Sequence, residues 1–167
     1  MADALVENAA VADVFWLDPA RIRFKISPCA DLSGRVGGDW DLDRRFPLGD
    51  AVKHRAIVQR YREGRRWPET DLFREAYAPR LAAGQSIRGV GTMGELVAQY
   101  EDRVDAMFAS LAREGFRADR GPLPRLFVGR DGDIFIGNQG NHRLAMAQLL
   151  ELKSIAGRIT CRHSLNR

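Results

Sequence analysis

Apolar and polar positions along the chain change period from one stretch to the next, and each change predicts an element. A polar, alanine-rich start is expected to fray. Arg21-Ile-Arg-Phe-Lys-Ile26 then alternates basic and apolar residues with period two, the pattern of a half-buried strand. Between Ser27 and Leu42, Pro28, Gly34, Gly37 and Gly38 crowd a span with few periodic apolar positions, so a loop is predicted. From Asp50 the spacing turns helical: Ala51, His54, Ile57, Val58 and Tyr61 share a face, Asp50 stands where a cap would, and Gly64 ends the run. Trp67-Pro68-Glu69-Thr70 restarts a helix with proline near its first turn, and Leu72, Phe73, Tyr77 and Leu81 make its stripe up to Gly84. A glycine-bearing loop over 85–94 leads into a long helix ending near Gly115, with Leu96, Tyr100, Val104, Met107, Phe108 and Leu111 as its buried face.

The last third has a different texture. Arg125 to Val128 and Asp133 to Ile136 read as two strands joined by the tight-turn signature Arg130-Asp131-Gly132. A glycine-bearing turn over 137–141 opens a helix running to Leu152, and Ser154 to Cys161 reads as a final strand. The elements predict one α+β domain over 1–167 with a small mixed sheet.

Composition narrows the class without naming a function. With 167 residues and 45% hydrophobic positions the chain can bury a core without disulfides. Its longest apolar runs fall far short of the roughly 20 residues a membrane crossing needs. Asp3, Glu7 and Asp13 interrupt a start that has no basic-then-apolar leader pattern, so a cytoplasmic protein is expected. Cys29 and Cys161 lack metal-ligand spacing and are expected to be reduced, structural thiols, with no zinc, haem or flavin implied. The net charge of +4 is a modest excess. The arginine cluster Arg60, Arg62, Arg65 and Arg66 has no interleaved aromatic ladder, so it reads first as a solvated face and second as a nucleic-acid contact.

Candidate chemistry concentrates at Gly137-Asn-Gln-Gly-Asn-His-Arg143, where a strand passes through glycines into a helix start. Unpaired N–H groups and the positive end of the helix dipole suit an anion there, and glycine lets a phosphate approach the backbone. Arg143 offers a bidentate fork and His142 a hydrogen bond, while Asn138, Gln139 and Asn141 add amide groups. The structural alternatives are a salt bridge from Arg143 to Asp133 and an imidazole satisfied by local backbone. Arg35 and Gly37-Gly-Asp-Trp-Asp41 form a second concentration: Trp40 between Asp39 and Asp41 can close over a ligand, or can plug a core edge while Asp39 makes an Asx-turn.

The segment from Arg125 to His163 resembles the core of the ParB/sulfiredoxin superfamily, through Gly140-Asn141-His142-Arg143 followed by Leu144-Ala-Met-Ala147 and Lys153-Ser-Ile-Ala-Gly-Arg-Ile159. The likeness implies a core built from about 15–42 and 122–163, a helical insertion over about 50–115, and a phosphate motif at Gln139 to Arg143 that binds nucleotide phosphates, so a nucleoside di- or triphosphate is the expected ligand. Asn141 stands where sulfiredoxins carry their catalytic cysteine, so sulfinic-acid chemistry is not expected. Gln139 replaces the acid that serine-phosphorylating members carry before the motif glycine. The chain ends soon after His163, so the helix-turn-helix of the partition proteins is not expected.

Nucleotide or phosphate binding is therefore the leading expectation. Mg²⁺-dependent hydrolysis or phosphoryl transfer is secondary and would need Asp39 and Asp41 as catalytic carboxylates and metal ligands folded over the helix start. The competing reading is a nucleic-acid-binding or nuclease-like protein in which Arg143, Arg35 and the Arg60 to Arg66 cluster hold backbone phosphates. A non-catalytic interaction domain is the third.

Overall fold

The computed structural model describes residues 14–166. Residues 1–13, where fraying is expected and on which the expectation of a cytoplasmic protein largely rests, lie outside the described residues. The fold is α+β, with seven strands in one mixed sheet. The strands are β1 (Val14–Leu17), β2 (Phe24–Ile26), β3 (Gly34–Val36), β4 (Arg45–Pro47), β5 (Arg125–Val128), β6 (Ile134–Ile136) and β7 (Ile155–His163). Their order is β1-β7-β5-β6-β2-β4, with β3 also on β7. β5 is antiparallel to β6 and parallel to β7, and β6 is parallel to β2.

The helices are α1 (Trp40–Asp43), α2 (Val52–Tyr61), α3 (Ala78–Ala82), α4 (Met93–Tyr100), α5 (Ala106–Glu114) and α6 (Asn141–Leu149). Wider π turns lead into two of them: Leu72–Tyr77 precedes α3, and Glu101–Asp105 joins α4 to α5. Gly115, at φ 72°, stops α5 where the sequence predicts.

Side-chain alternation along β5 divides two cores. Leu126 and Ile136 pack with Trp67, Phe73, Leu96, Tyr100 and Leu144 in the larger, while Phe127 and Phe135 pack with Ile26, Leu32 and Trp40 in the smaller. Cys29 and Cys161 are free thiols buried in that smaller core. Among the described residues no helix is long and apolar enough to cross a membrane.

The span over 27–42 is more ordered than a loop: it carries β3 and α1, and Trp40 is buried with its Nε1 donating to the Val36 carbonyl at 3.1 Å. Asp50 does not cap α2; it lies in the 3-10 turn Leu48–Asp50, and Ala51 occupies the capping position. β1 and β4 carry no period long enough to read, at four and three residues.

Candidate functional site

The β5–β6 hairpin sets the geometry. At one end Gly129 N donates to Asp133 O at 2.9 Å across the tight turn; at the other Gly137 N donates to Arg125 O at 2.9 Å and the chain turns into α6. About 13 Å of strand separates the two ends.

At the Gly137 end, glycine is required twice. Gly140 sits at φ 86°, and a Cβ there would lie 2.5 Å from the Pro124 Cα; one on Gly137 would lie 2.4 Å from the Phe127 ring. Gly140 is also the N-cap of α6, with no side-chain cap and no acid in the first turn. The first backbone bond of the helix is Leu144 N to Gly140 O at 2.9 Å, so the amides of Asn141, His142 and Arg143 lie ahead of the helical ladder. α4 shows what a satisfied start looks like: Thr92 Oγ1 accepts from Glu95 N, and Glu95 Oε2 accepts from Thr92 N at 3.2 Å.

A cleft of about 500 Å³ opens at this helix start, a size that suits a small ligand. Asn138, Gln139, Gly140, Asn141, His142 and Arg143 line it together with Lys53, Tyr77, Arg80 and Arg88. The fold thus brings together the predicted motif and three cations from the segment between the strands. Among the described residues no aspartate or glutamate lines the cleft. Arg80 donates to Gln85 at 3.1 Å, and Arg88 donates to the Tyr100 hydroxyl at 3.4 Å with its guanidinium over that ring. Lys25, on β2, reaches the Asn141 Oδ1 at 3.1 Å, while Asn141 Nδ2 donates to the Gly137 carbonyl at 3.0 Å.

Two of these cations are placed against local preference. Lys53 lies in the first turn of α2, at the positive end of its dipole. Arg88 has φ 53° in the tight Ile87–Val90 turn, a conformation that suits glycine or asparagine. Burial lowers the Lys25 and Lys53 ammonium pKa values, and like charge adds to it, from Lys53 on Lys25 and from Arg88 on Lys53. His142 is pushed down to about 3, first by burial and then by Lys53 and Arg88, so it is a neutral imidazole near pH 7. Its Nε2 is buried with no hydrogen-bond partner among the described residues.

Arg143 has a different role from the expected fork. It is buried, donates to the Pro122 carbonyl at 3.0 Å and the Arg117 carbonyl at 2.6 Å, and lies 4.0 Å over the Phe116 ring. It staples the segment after α5 onto α6. It does not reach Asp133 either, whose partner is Arg45 at 3.9 Å.

Asp39 and Asp41 lie at the other end of the hairpin and do not fold over the helix start. Asp41 is 3% exposed, accepts from Arg130 N at 2.8 Å, and holds the Arg130 guanidinium through both oxygens. Asp39 takes the same guanidinium at 2.7 Å, in place of an Asx-turn. Arg130 holds the Asp41 carboxyl below the usual carboxylate range against the opposing effect of burial. His163 Nε2 donates to the Gly38 carbonyl at 2.7 Å and the ring packs on Trp40. Trp40 is therefore a core plug. Among the described residues no cluster of His, Cys, Asp and Glu side chains could hold a metal ion.

The other predicted phosphate contacts do not converge. Arg35 donates to the Asn166 carbonyl at 2.9 Å on β3, outside the cleft. Arg60 pairs with Asp105 at 2.7 Å, Arg65 with Glu63 and Arg66 with Glu69, and Asp105 also accepts from Tyr61 and Trp67. A hollow of about 540 Å³ near the far end of α6 mixes Asp18 and Glu151 with Arg23 and Lys153, so its charges balance.

Sequence reasoning missed Lys25, Lys53, Arg80 and Arg88. The available signal was local misfit: a lysine in a helix's first turn and an arginine before glycine in a tight turn. No protein-family model, curated protein or solved structure matches the chain.

Proposed function

We propose that this chain binds a phosphate-bearing small molecule, a nucleotide in the first instance, at the start of α6. The observation that carries the reading is the unbalanced charge of one cleft. An uncapped helix start, Lys53, Arg80 and Arg88 line a space that no carboxylate lines among the described residues, and Lys25 donates to Asn141. An anion in that space would accept from the free amides and relieve the repulsion among the cations. The motif Gly140-Asn-His-Arg143 lies at this helix start, as a ParB/sulfiredoxin-like core would require, but the phosphate contacts assigned to Arg143 pass to Lys53 and Arg88.

The reading is one of binding. Hydrolysis or phosphoryl transfer would need a base and a metal-holding group, and Asp39 and Asp41 are engaged by Arg130 away from the cleft. The nucleic-acid reading has less support, because the Arg60 to Arg66 cluster is largely paired with carboxylates. Thermal unfolding against a nucleotide panel tests the proposal: a ligand at about 100 times its dissociation constant adds about 2.7 kcal/mol of stability. No shift with any nucleotide or phosphorylated compound overturns it.

A further inference from the structure

We propose that the ligand of the α6 cleft is a polyphosphate chain of at least two phosphoryl groups, bound free of divalent cation. This rests on the phosphate-binding reading above and departs from the expectation of a Mg²⁺-nucleotide complex.

The residues around the cleft do not suit a metal-nucleotide complex. Protein-bound Mg²⁺ takes one or two carboxylates besides phosphate oxygens, and phosphate-binding loops often add a serine or threonine hydroxyl. Among the described residues the cleft lining holds neither a carboxylate nor an aliphatic hydroxyl. Asp39 and Asp41 are committed to Arg130 beyond the length of the hairpin. A bound Mg²⁺ would add two positive charges to a cleft already populated by Lys53, Arg80 and Arg88. A free di- or triphosphate removes that excess instead.

The donors come in two groups by their origin in the chain, and the three cations among them exceed the charge of about −1.5 to −2 that one phosphate carries near pH 7. One group is the α6 amides with the neutral His142, which binds as an uncharged hydrogen-bonding partner. The other comprises Lys53, Arg80 and Arg88, carried by α2, by α3 and by the Ile87–Val90 turn. A phosphate seated on the helix start meets the first; a second phosphoryl group supplies the negative charge that the second group still lacks. The strained backbone of Arg88 and the misplaced charge of Lys53 are then costs tolerated for that second contact.

The test is a calorimetric ladder of orthophosphate, pyrophosphate and tripolyphosphate beside AMP, ADP and ATP, each in EDTA and in excess Mg²⁺. Affinity should rise about tenfold from one to two phosphoryl groups, since each further charge-assisted contact is worth roughly that factor. Tripolyphosphate should bind without any nucleoside, and excess Mg²⁺ should weaken every tight binder. Lys53→Met and Arg88→Met should flatten the ladder while keeping the weak orthophosphate binding at the helix start. A requirement for Mg²⁺, a gain on adding it, or equal affinity along the ladder overturns this inference and leaves phosphate binding standing. Failure of every phosphorylated compound to bind overturns both.

Discussion

At the Gly129 end of the β5–β6 hairpin, Arg130 is shared by Asp39 and Asp41 and its backbone amide is bonded to the Asp41 carboxylate; at the Gly137 end, Lys53, Arg80 and Arg88 gather around a helix start with no carboxylate in the lining among the described residues. Both ends looked like chemistry in the sequence. The structure separates them by whether charge is compensated. A carboxylate pair held by one guanidinium lowers the energy of the fold and leaves little capacity for a metal ion. A cluster of like charges raises the energy of the fold, and such a cost points to a ligand that removes it.

The comparison can be broken most strongly through backbone shape. Gly140→Ala should cost about 3 kcal/mol, because a Cβ at positive φ meets the Pro124 backbone, and it should abolish ligand binding by shifting the helix start. Urea unfolding and a ligand titration read both effects. Wild-type stability and affinity in this variant would mean that the α6 start is not the rigid cradle described.

Next come two substitutions that should weaken the fold without touching affinity. Asp41→Ala strips Arg130 of its main partner and should cost about 2 kcal/mol, the lower end for breaking a charged network because Arg130 can still reach solvent. Arg143→Met keeps the packing on Phe116 but leaves the Pro122 and Arg117 carbonyls unbonded, again about 2 kcal/mol. Denaturation midpoints should fall in both, with ligand affinity per folded molecule within about twofold of wild type. A loss of affinity far beyond the loss of stability would return Arg143 to the phosphate site.

A smaller effect lies in pH. The folded His142 has its pKa pushed to about 3, below the 6.5 of an ordinary histidine, so the unfolded chain binds its proton first. Its contribution to stability is complete above about pH 6.5 and declines as pH falls toward 3. Depressed carboxylates such as Asp41 lose theirs only at lower pH, so the interval from about 6.5 to 5 reports on His142. His142→Phe should flatten the stability profile in that interval; an unchanged slope would mean that the imidazole is not buried in the neutral form.

Much of the architecture was legible. The β5–β6 hairpin, α6 and the long helical run ending at Gly115 follow from alternating or helical spacing punctuated by glycine, and the helix start carries the motif as expected. What escaped was set by tertiary contact. β1, β3 and β4 are four residues or fewer and depend on pairing with β7 or β2. The fate of Asp39 and Asp41 depends on Arg130, far along the chain, and that of Arg143 on two carbonyls after α5. The cations that do face the cleft come from α2, α3 and the Ile87–Val90 turn, and no spacing rule links them to α6. Only Lys53 and Arg88 were marked in advance, by local misfit.

The most direct test is the melting temperature of Lys53→Met beside the wild type, each without ligand and with saturating tripolyphosphate. Removing an uncompensated charge should leave the ligand-free variant as stable as wild type or slightly more so, while most of the ligand-induced rise disappears. A variant that melts well below wild type without ligand, yet keeps the full ligand-induced rise, would contradict the claim that the unpaired cations at the α6 start form the binding site.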